Sequence, residues 1–129
     1  MNKAEIETIG SKIVDAAYCV HKELGPGLLE SVYECCLIEE LKKRNLTVCS
    51  QMKLPVFYKG KQLEKEFIID ILVENEIIVE LKAVEVLLPV HEVQLLTYMK
   101  LADKKLGYLI NFNVPMIKDG IKRKINGYF

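Results

Sequence analysis

Three ionisable residues interrupt two apolar stretches of this sequence. Asp70 lies inside FIIDILV, and Glu80 and Lys82 lie inside IIVELKAV. An unpaired charge among such neighbours costs several kcal/mol to bury, or it shifts its pKa until it is neutral. Two acids and an amine suggest metal-assisted chemistry. Magnesium prefers about six oxygens at roughly 2.0–2.1 Å, commonly from one or two carboxylates with waters and phosphates. Such a cation relieves the repulsion between the acids, lowers the pKa of a bound water and polarises a phosphate. The backbone carbonyl of Leu81 could add an oxygen, and Lys82 could position the water or stabilise developing negative charge. A structural Asp70–Lys82 or Glu80–Lys82 ion pair at the exposed end of a sheet fits the same spacing. The pattern Asp-x₉-Glu-x-Lys is common by chance.

The elements around these residues decide whether they meet. Gln62–Val73 and Ile77–Val84 read as strands, and Glu74-Asn75-Glu76 between them reads as a hairpin turn. A three-residue turn pairs Val73 with Ile77 and so sets Asp70 across from Glu80, about 5 Å apart at Cβ. Lys82, two residues on, shares that face. A two-residue turn would send Asp70 to the other face, so the cluster depends on an even register or a compensating bulge.

Upstream, Ile6, Ile9, Ile13, Ala17, Val20 and Leu24 recur in steps of three and four and give an amphipathic helix over 4–24. It ends at Gly25-Pro26-Gly27. A second helix is expected from about Leu28 to Arg44, with Leu29, Val32, Tyr33, Cys36, Leu37 and Leu41 inward. Thr47–Tyr58, containing Pro55 and followed by a Lys59-Gly60 turn, reads as a strand. A third helix is expected over about Val90–Lys104. GYLINFN (Gly107–Asn113) reads as a buried strand, and the tail after Pro115 as an edge strand. The order ααβββαββ predicts a mixed sheet flanked by helices.

Other residues could support a site. Glu30 stands in the first turn of the second helix on its apolar stripe; it could be a further acidic ligand, or it could only favour the helix dipole by about 0.3–1 kcal/mol. Gln94 and Tyr98, four apart, share one helix face and could orient water or touch phosphate, although ordinary helix surface explains them too. His91 reads as a first-turn surface residue, and His21 has no evident role. Lys122-Arg123-Lys124 could grip a phosphate backbone or simply guard an edge strand.

Composition narrows the class. The chain has 129 residues, half of them apolar, which predicts one domain over 1–129. The 18 basic and 18 acidic residues balance, so strong non-specific DNA binding through bulk charge is not expected. The charge is uneven: residues 100–129 hold seven basic and two acidic side chains, a net +5, and the remainder is −5. No apolar run reaches about 18 residues, so no transmembrane helix is expected. The N-terminus has no secretory apolar region, which makes a cytoplasmic protein the default. Cys19, Cys35, Cys36 and Cys49 form no C-x-x-C pair, and they read as reduced and mostly buried rather than as zinc or iron–sulfur ligands.

Several stretches together resemble one family. LGPGLLESVYE is similar to the signature of the GxxExxY (GxxExxR) proteins, through Gly27, Glu30 and Tyr33. FIIDILV and IIVELKAVE resemble its Asp and Glu-x-Lys strands. HEVQLLTYMK resembles the following helix and holds the Gln-x-x-x-Tyr pattern of RecB-type nucleases. GYLINFN and GIKRKI resemble its C-terminal signature. The resemblance runs from about Ile13 to Tyr128. It implies the restriction-endonuclease-like αβββαβ core of the PD-(D/E)xK superfamily, here with an extra N-terminal helix. It further implies divalent-metal phosphodiester hydrolysis, with Asp70 and Glu80 as metal ligands, Glu30 as the helix-borne acid, Lys82 as the catalytic lysine, and Gln94 and Tyr98 as accessory residues. Ile69 replaces the Pro of the superfamily's name at a position without metal chemistry.

The expectation is therefore a Mg²⁺- or Mn²⁺-dependent nuclease without an iron–sulfur cluster. Its substrate is expected to be nucleic acid, DNA first, and a domain this small suits a homodimer or a partner protein. The alternative is a nucleic-acid-binding or regulatory module that keeps the nuclease fold and cuts only with a partner.

Overall fold

In the computed structural model, which describes Met1–Phe129, three helices and five strands follow in the order expected. They are α1 (Lys3–Leu24), α2 (Glu30–Lys43), β1 (Val48–Tyr58), β2 (Lys61–Val73), β3 (Ile77–Lys82), α3 (Pro89–Ala102), β4 (Leu106–Asn111) and β5 (Ile121–Ile125). A short 3-10 helix, Ile117–Gly120, precedes β5. The strands form one mixed sheet in the order β1-β2-β3-β4-β5, antiparallel except for the parallel pair β3–β4 joined through α3. This is an α+β arrangement consistent with a restriction-endonuclease-like fold. No helix is long and apolar enough to cross a membrane.

The local chemistry explains the ends. The Asn2 side chain accepts from the Glu5 N–H at 2.9 Å and opens α1, and Gly25 at φ 65° closes it. Leu29 is extended, so α2 starts at Glu30 rather than at Leu28. The turn after β2 places Glu74 and Asn75 at φ 52° and 56°, and the Glu76 N–H donates to the Val73 carbonyl.

Two apolar layers cover the sheet. The larger joins α1 and α2 to one face through Ile13, Tyr33, Leu37, Ile71, Val79, Tyr108 and Phe112, among others. The smaller sets Leu95, Tyr98 and Met99 of α3 against Ile69, Leu72, Ile78 and Leu109. The inner face of α2 is narrower than its apolar pattern suggests. Tyr33, Leu37 and Leu41 are fully buried, but Leu29 is 73% exposed and Val32 also reaches solvent. The cysteines are free, as expected, yet Cys19, Cys35 and Cys49 are exposed and Cys36 is half-buried. Mostly Ile, Leu and Val side chains fill the contact between α1, α2 and the sheet, and of the thiols only Cys36 packs at its margin, so the expectation of mostly buried cysteines fails.

Candidate metal and phosphodiester site

The site begins where β2 and β3 part. Their register is the one a three-residue turn predicts: Val73 faces Ile77, Leu72 faces Ile78, and Ile71 faces Val79. The backbone ladder stops there, and side chains take over. The Asp70 N–H donates to Glu80 Oε1 at 3.2 Å, and the Leu81 N–H donates to Asp70 Oδ2 at 2.9 Å. β2 also changes face at this point. Ile71 and Val73 lie in the α1/α2 layer, whereas Ile69 and Leu72 both lie in the α3 layer. Strict alternation would put Ile69 with Ile71. On the other side of β2, β1 is unpaired at Gln51, which has φ 52°. Asp70 thus sits at a break in both ladders, where its side chain can reach the groove between β2 and β3.

The electrostatics fit two acids forced together. Glu80 is only 7% exposed. Burial foremost, then the Asp70 charge and contact with the Asp70 carboxyl, push its pKa up to about 9. Lys82 acts against this rise but only weakly. The Glu30 carboxyl is also raised, first by desolvation, against the pull of Lys82 and with a further push from Asp70. The Lys82 ammonium is therefore within electrostatic reach of both Glu30 and Glu80. None of the ion pairs within 4 Å includes it, so a direct Asp70–Lys82 or Glu80–Lys82 salt bridge is not what holds the charges. Glu30, Ser31, Glu34, Gln51, Asp70 and Leu81 line a cavity of about 280 Å³. Two larger cavities, of about 450 and 380 Å³, lie along α1 and α2 away from these acids. Of the three cavities, the one beside Asp70 has the most polar lining, with Leu81 its one apolar residue.

Helix α3 brings the next pair to the same end of the sheet. Gln94 Nε2 donates to the Tyr98 hydroxyl at 3.1 Å. Burial and then the Glu80 charge raise the Tyr98 pKa, and the Asp70 charge adds to this. Tyr98 therefore stands near both acids, with the Phe67 ring against it at 5.4 Å between centroids. His91 instead caps α3, its Nδ1 accepting from the Leu88 N–H at 3.1 Å. His21 bonds the Val114 carbonyl at 2.8 Å.

The basic run of β5 does not make one surface. Lys122 and Lys124 pair with Leu109 and Gly107, on the α3 side, and Lys124 Nζ is 2.6 Å from Glu92 of α3. Arg123 pairs with Tyr108, points to the other face and binds Glu7 of α1 at 2.5 Å. Strand alternation splits the run, and two of its three charges already have acidic partners.

Two residues that hold the site were not singled out as such from sequence. The Tyr33 hydroxyl donates to the Gly25 carbonyl at 2.5 Å and accepts from the Leu28 N–H at 3.2 Å, while its ring stacks on Phe112 at 4.6 Å. It thereby ties down the loop that delivers Glu30. Asn111 is 2% exposed. Its Oδ1 accepts from the Val84 and Asn113 N–H groups, and its Nδ2 donates to the Val84 carbonyl at 2.9 Å. It pins the chain just past Lys82. A polar residue inside GYLINFN was the available signal for Asn111, and the aromatic end of the G-x-x-E-x-x-Y spacing was the signal for Tyr33.

The donor set suits a hard divalent cation. Two carboxylates from adjacent strands are pressed together, one so buried that it stays protonated without a counter-charge, and magnesium is commonly held by one or two carboxylates plus waters and phosphates. No three His, Cys, Asp or Glu side chains stand close enough to form a ready-made protein cage. Comparison with known proteins agrees with this reading of the fold. The family model of the PD-(D/E)XK nuclease superfamily matches residues 7–124. No curated protein and no solved structure matches the chain.

Proposed function

Because this chain belongs to the PD-(D/E)XK nuclease superfamily, we propose that it is a metal-dependent nuclease, hydrolysing phosphodiester bonds in DNA, of the GxxExxY branch. The observation that supports this most is the meeting of Asp70 and Glu80 at the parting of β2 and β3. In this reading the whole chain is one catalytic domain, working in the cytoplasm. Mg²⁺ or Mn²⁺, when bound, supplies charge for the phosphate and an acidified water.

Asp70 and Glu80 would hold that cation with the Leu81 carbonyl as a further oxygen donor, and Glu30, on the wall of the same cavity, would reach it through a water. Lys82, close enough to act on Glu30 and Glu80 and tied to neither, is free to hydrogen-bond the water or a phosphate oxygen. Tyr98, steadied by Gln94, walls the α3 side and limits water there. The divided basic run on β5 favours one second reading, a module that grips nucleic acid weakly alone and cuts with a partner or as a dimer.

The test is a cleavage panel on duplex DNA, single-stranded DNA and RNA, with Mg²⁺, Mn²⁺ or EDTA. It compares wild type with Asp70→Asn and Lys82→Ala. Metal-dependent cleavage that falls about 100-fold or more in both variants is expected. Equal activity in all three proteins would identify a contaminating nuclease and remove the reading. Metal binding without cleavage of any substrate would favour the partner-dependent module.

A further inference from the structure

The pairing of β2 with β3 covers only Ile71–Val73, whereas its pairing with β1 continues from Val73 out to Lys61. The remainder of β1 and β2, residues 52–69, is therefore a two-stranded arm that leaves the sheet at Gln51 and Asp70. At 3.2–3.4 Å per residue it runs for about 20 Å beyond them. One side of the arm is anchored: Met52, Leu54 and Phe67 pack on the α3 layer, and Phe67 meets Tyr98. The other side, which carries Lys53 paired with Ile68, faces solvent.

Three features distinguish this arm. Its four lysines, Lys53, Lys59, Lys61 and Lys65, are all exposed, and none is in an ion pair. Against them stand only Glu64 and Glu66, so the arm is +2 in a chain of zero net charge. The β5 run, by contrast, spends two of its three charges on Glu7 and Glu92. At the tip, Phe57 and Tyr58 are 61% and 62% exposed, and the Lys59 ammonium lies 5.5 Å from the Tyr58 ring centre. Free lysines along a ribbon with aromatic rings at its end match a polyanion carrying stackable bases.

We propose that this β1–β2 arm is the nucleic-acid grip of the protein. Lys53, Lys59, Lys61 and Lys65 contact phosphates of the strand that enters the Asp70–Glu80 groove, and Phe57 and Tyr58 stack on its unpaired bases. The assignment rests on the nuclease reading for its ligand and adds where, and in which strand form, the substrate is held. The arm starts at Asp70 itself, so a strand lying along it is led to the acids. Base stacking at the tip makes single-stranded nucleic acid the preferred form.

The test is fluorescence anisotropy with the full chain in EDTA, where binding is separated from cleavage. The probes are a labelled 30-nucleotide single strand and the matching duplex. The Lys53→Gln/Lys59→Gln/Lys61→Gln/Lys65→Gln variant should bind the single strand about tenfold more weakly or worse, with a log–log salt slope shallower by about 3. Phe57→Ser/Tyr58→Ser should lose about tenfold on the single strand and little on the duplex. Lys12→Gln/Lys22→Gln/Lys42→Gln/Lys118→Gln removes four exposed lysines elsewhere and should bind like wild type. If the fourfold arm variant does not fold by circular dichroism, the Lys53/Lys65 and Lys59/Lys61 pairs are changed separately, each expected to shift the slope by about half. Unchanged binding by the arm variants, with wild type still cleaving, would overturn the arm assignment alone. A wild type that neither binds nor cleaves would overturn both it and the nuclease reading.

Discussion

Replacing Glu80 by glutamine separates the folding role of this residue from its chemical role. Glu80 is 7% exposed and faces Asp70, and its pKa lies near 9 against an ordinary value of 4.5. The raised folded-state value means that the folded chain holds the proton more tightly than the unfolded chain does. The stability associated with this proton is therefore complete below pH 4.5 and is lost as pH rises towards 9, by about 1.4 kcal/mol per pH unit. At pH 7.5 the loss reaches at most about 4 kcal/mol, an upper bound because Asp70 shares in the titration. Glutamine keeps the shape and hydrogen-bonding of the neutral acid and carries no such pH dependence. In EDTA, urea unfolding of wild type and Glu80→Gln should give similar free energies near pH 4.5. Up to about 4 kcal/mol in favour of the variant should then develop by pH 7.5, or roughly 12–16 °C in Tm for a chain of this size. Mn²⁺ should reverse the order by stabilising wild type alone. A difference independent of pH, or a variant less stable than wild type at pH 7.5, would refute the protonated, buried Glu80 on which the reasoning rests.

Two further substitutions test how the site is held. Tyr33→Phe removes the hydroxyl that bonds Gly25 and Leu28, and it should cost about 1–3 kcal/mol by thermal unfolding and reduce cleavage by loosening the loop before Glu30. Asn111→Ala leaves the Val84 N–H and carbonyl and the Asn113 N–H without their partner, for about 2–4 kcal/mol. Asn111→Asp should not restore stability, since an acid would then face the Val84 carbonyl; full recovery would show that only volume matters there.

Much of this was legible in the sequence, for identifiable reasons. The three-residue turn at 74–76 set the β2–β3 register over Ile71–Val73, and just beyond it Asp70 meets Glu80 and Leu81 through side-chain hydrogen bonds at a break in the ladder rather than as a paired position. Charges inside apolar strands singled out Asp70 and Glu80, which the structure brings into contact, because a core tolerates such charges so poorly. The steps of three and four in α1 gave its buried face, which the structure keeps at Ile6, Ile9, Ile13, Ala17 and Val20. Other features are set by packing that no local pattern encodes. The face change of β2 at Asp70 follows from the interrupted ladders on both sides. The depth to which α2 sinks between α1 and the sheet decides that Leu29, Val32 and Cys35 face solvent. The division of Lys122, Arg123 and Lys124 follows from strand alternation, which the sequence carries. Their acidic partners, Glu7 and Glu92, belong to helices distant in the chain, so no local pattern names them.

The proposed function stands or falls on Asp70 and Glu80 together forming one divalent-cation site. Calorimetric titration of the full chain with Mn²⁺ at pH 7.5, in two buffers of different ionisation enthalpy, tests it most directly. One Mn²⁺ per chain is expected, with release of about one proton, the one Glu80 carries in the absence of metal, and loss of binding in Asp70→Asn. Equal affinity in wild type, Asp70→Asn and Glu80→Gln, with no proton released, would contradict it.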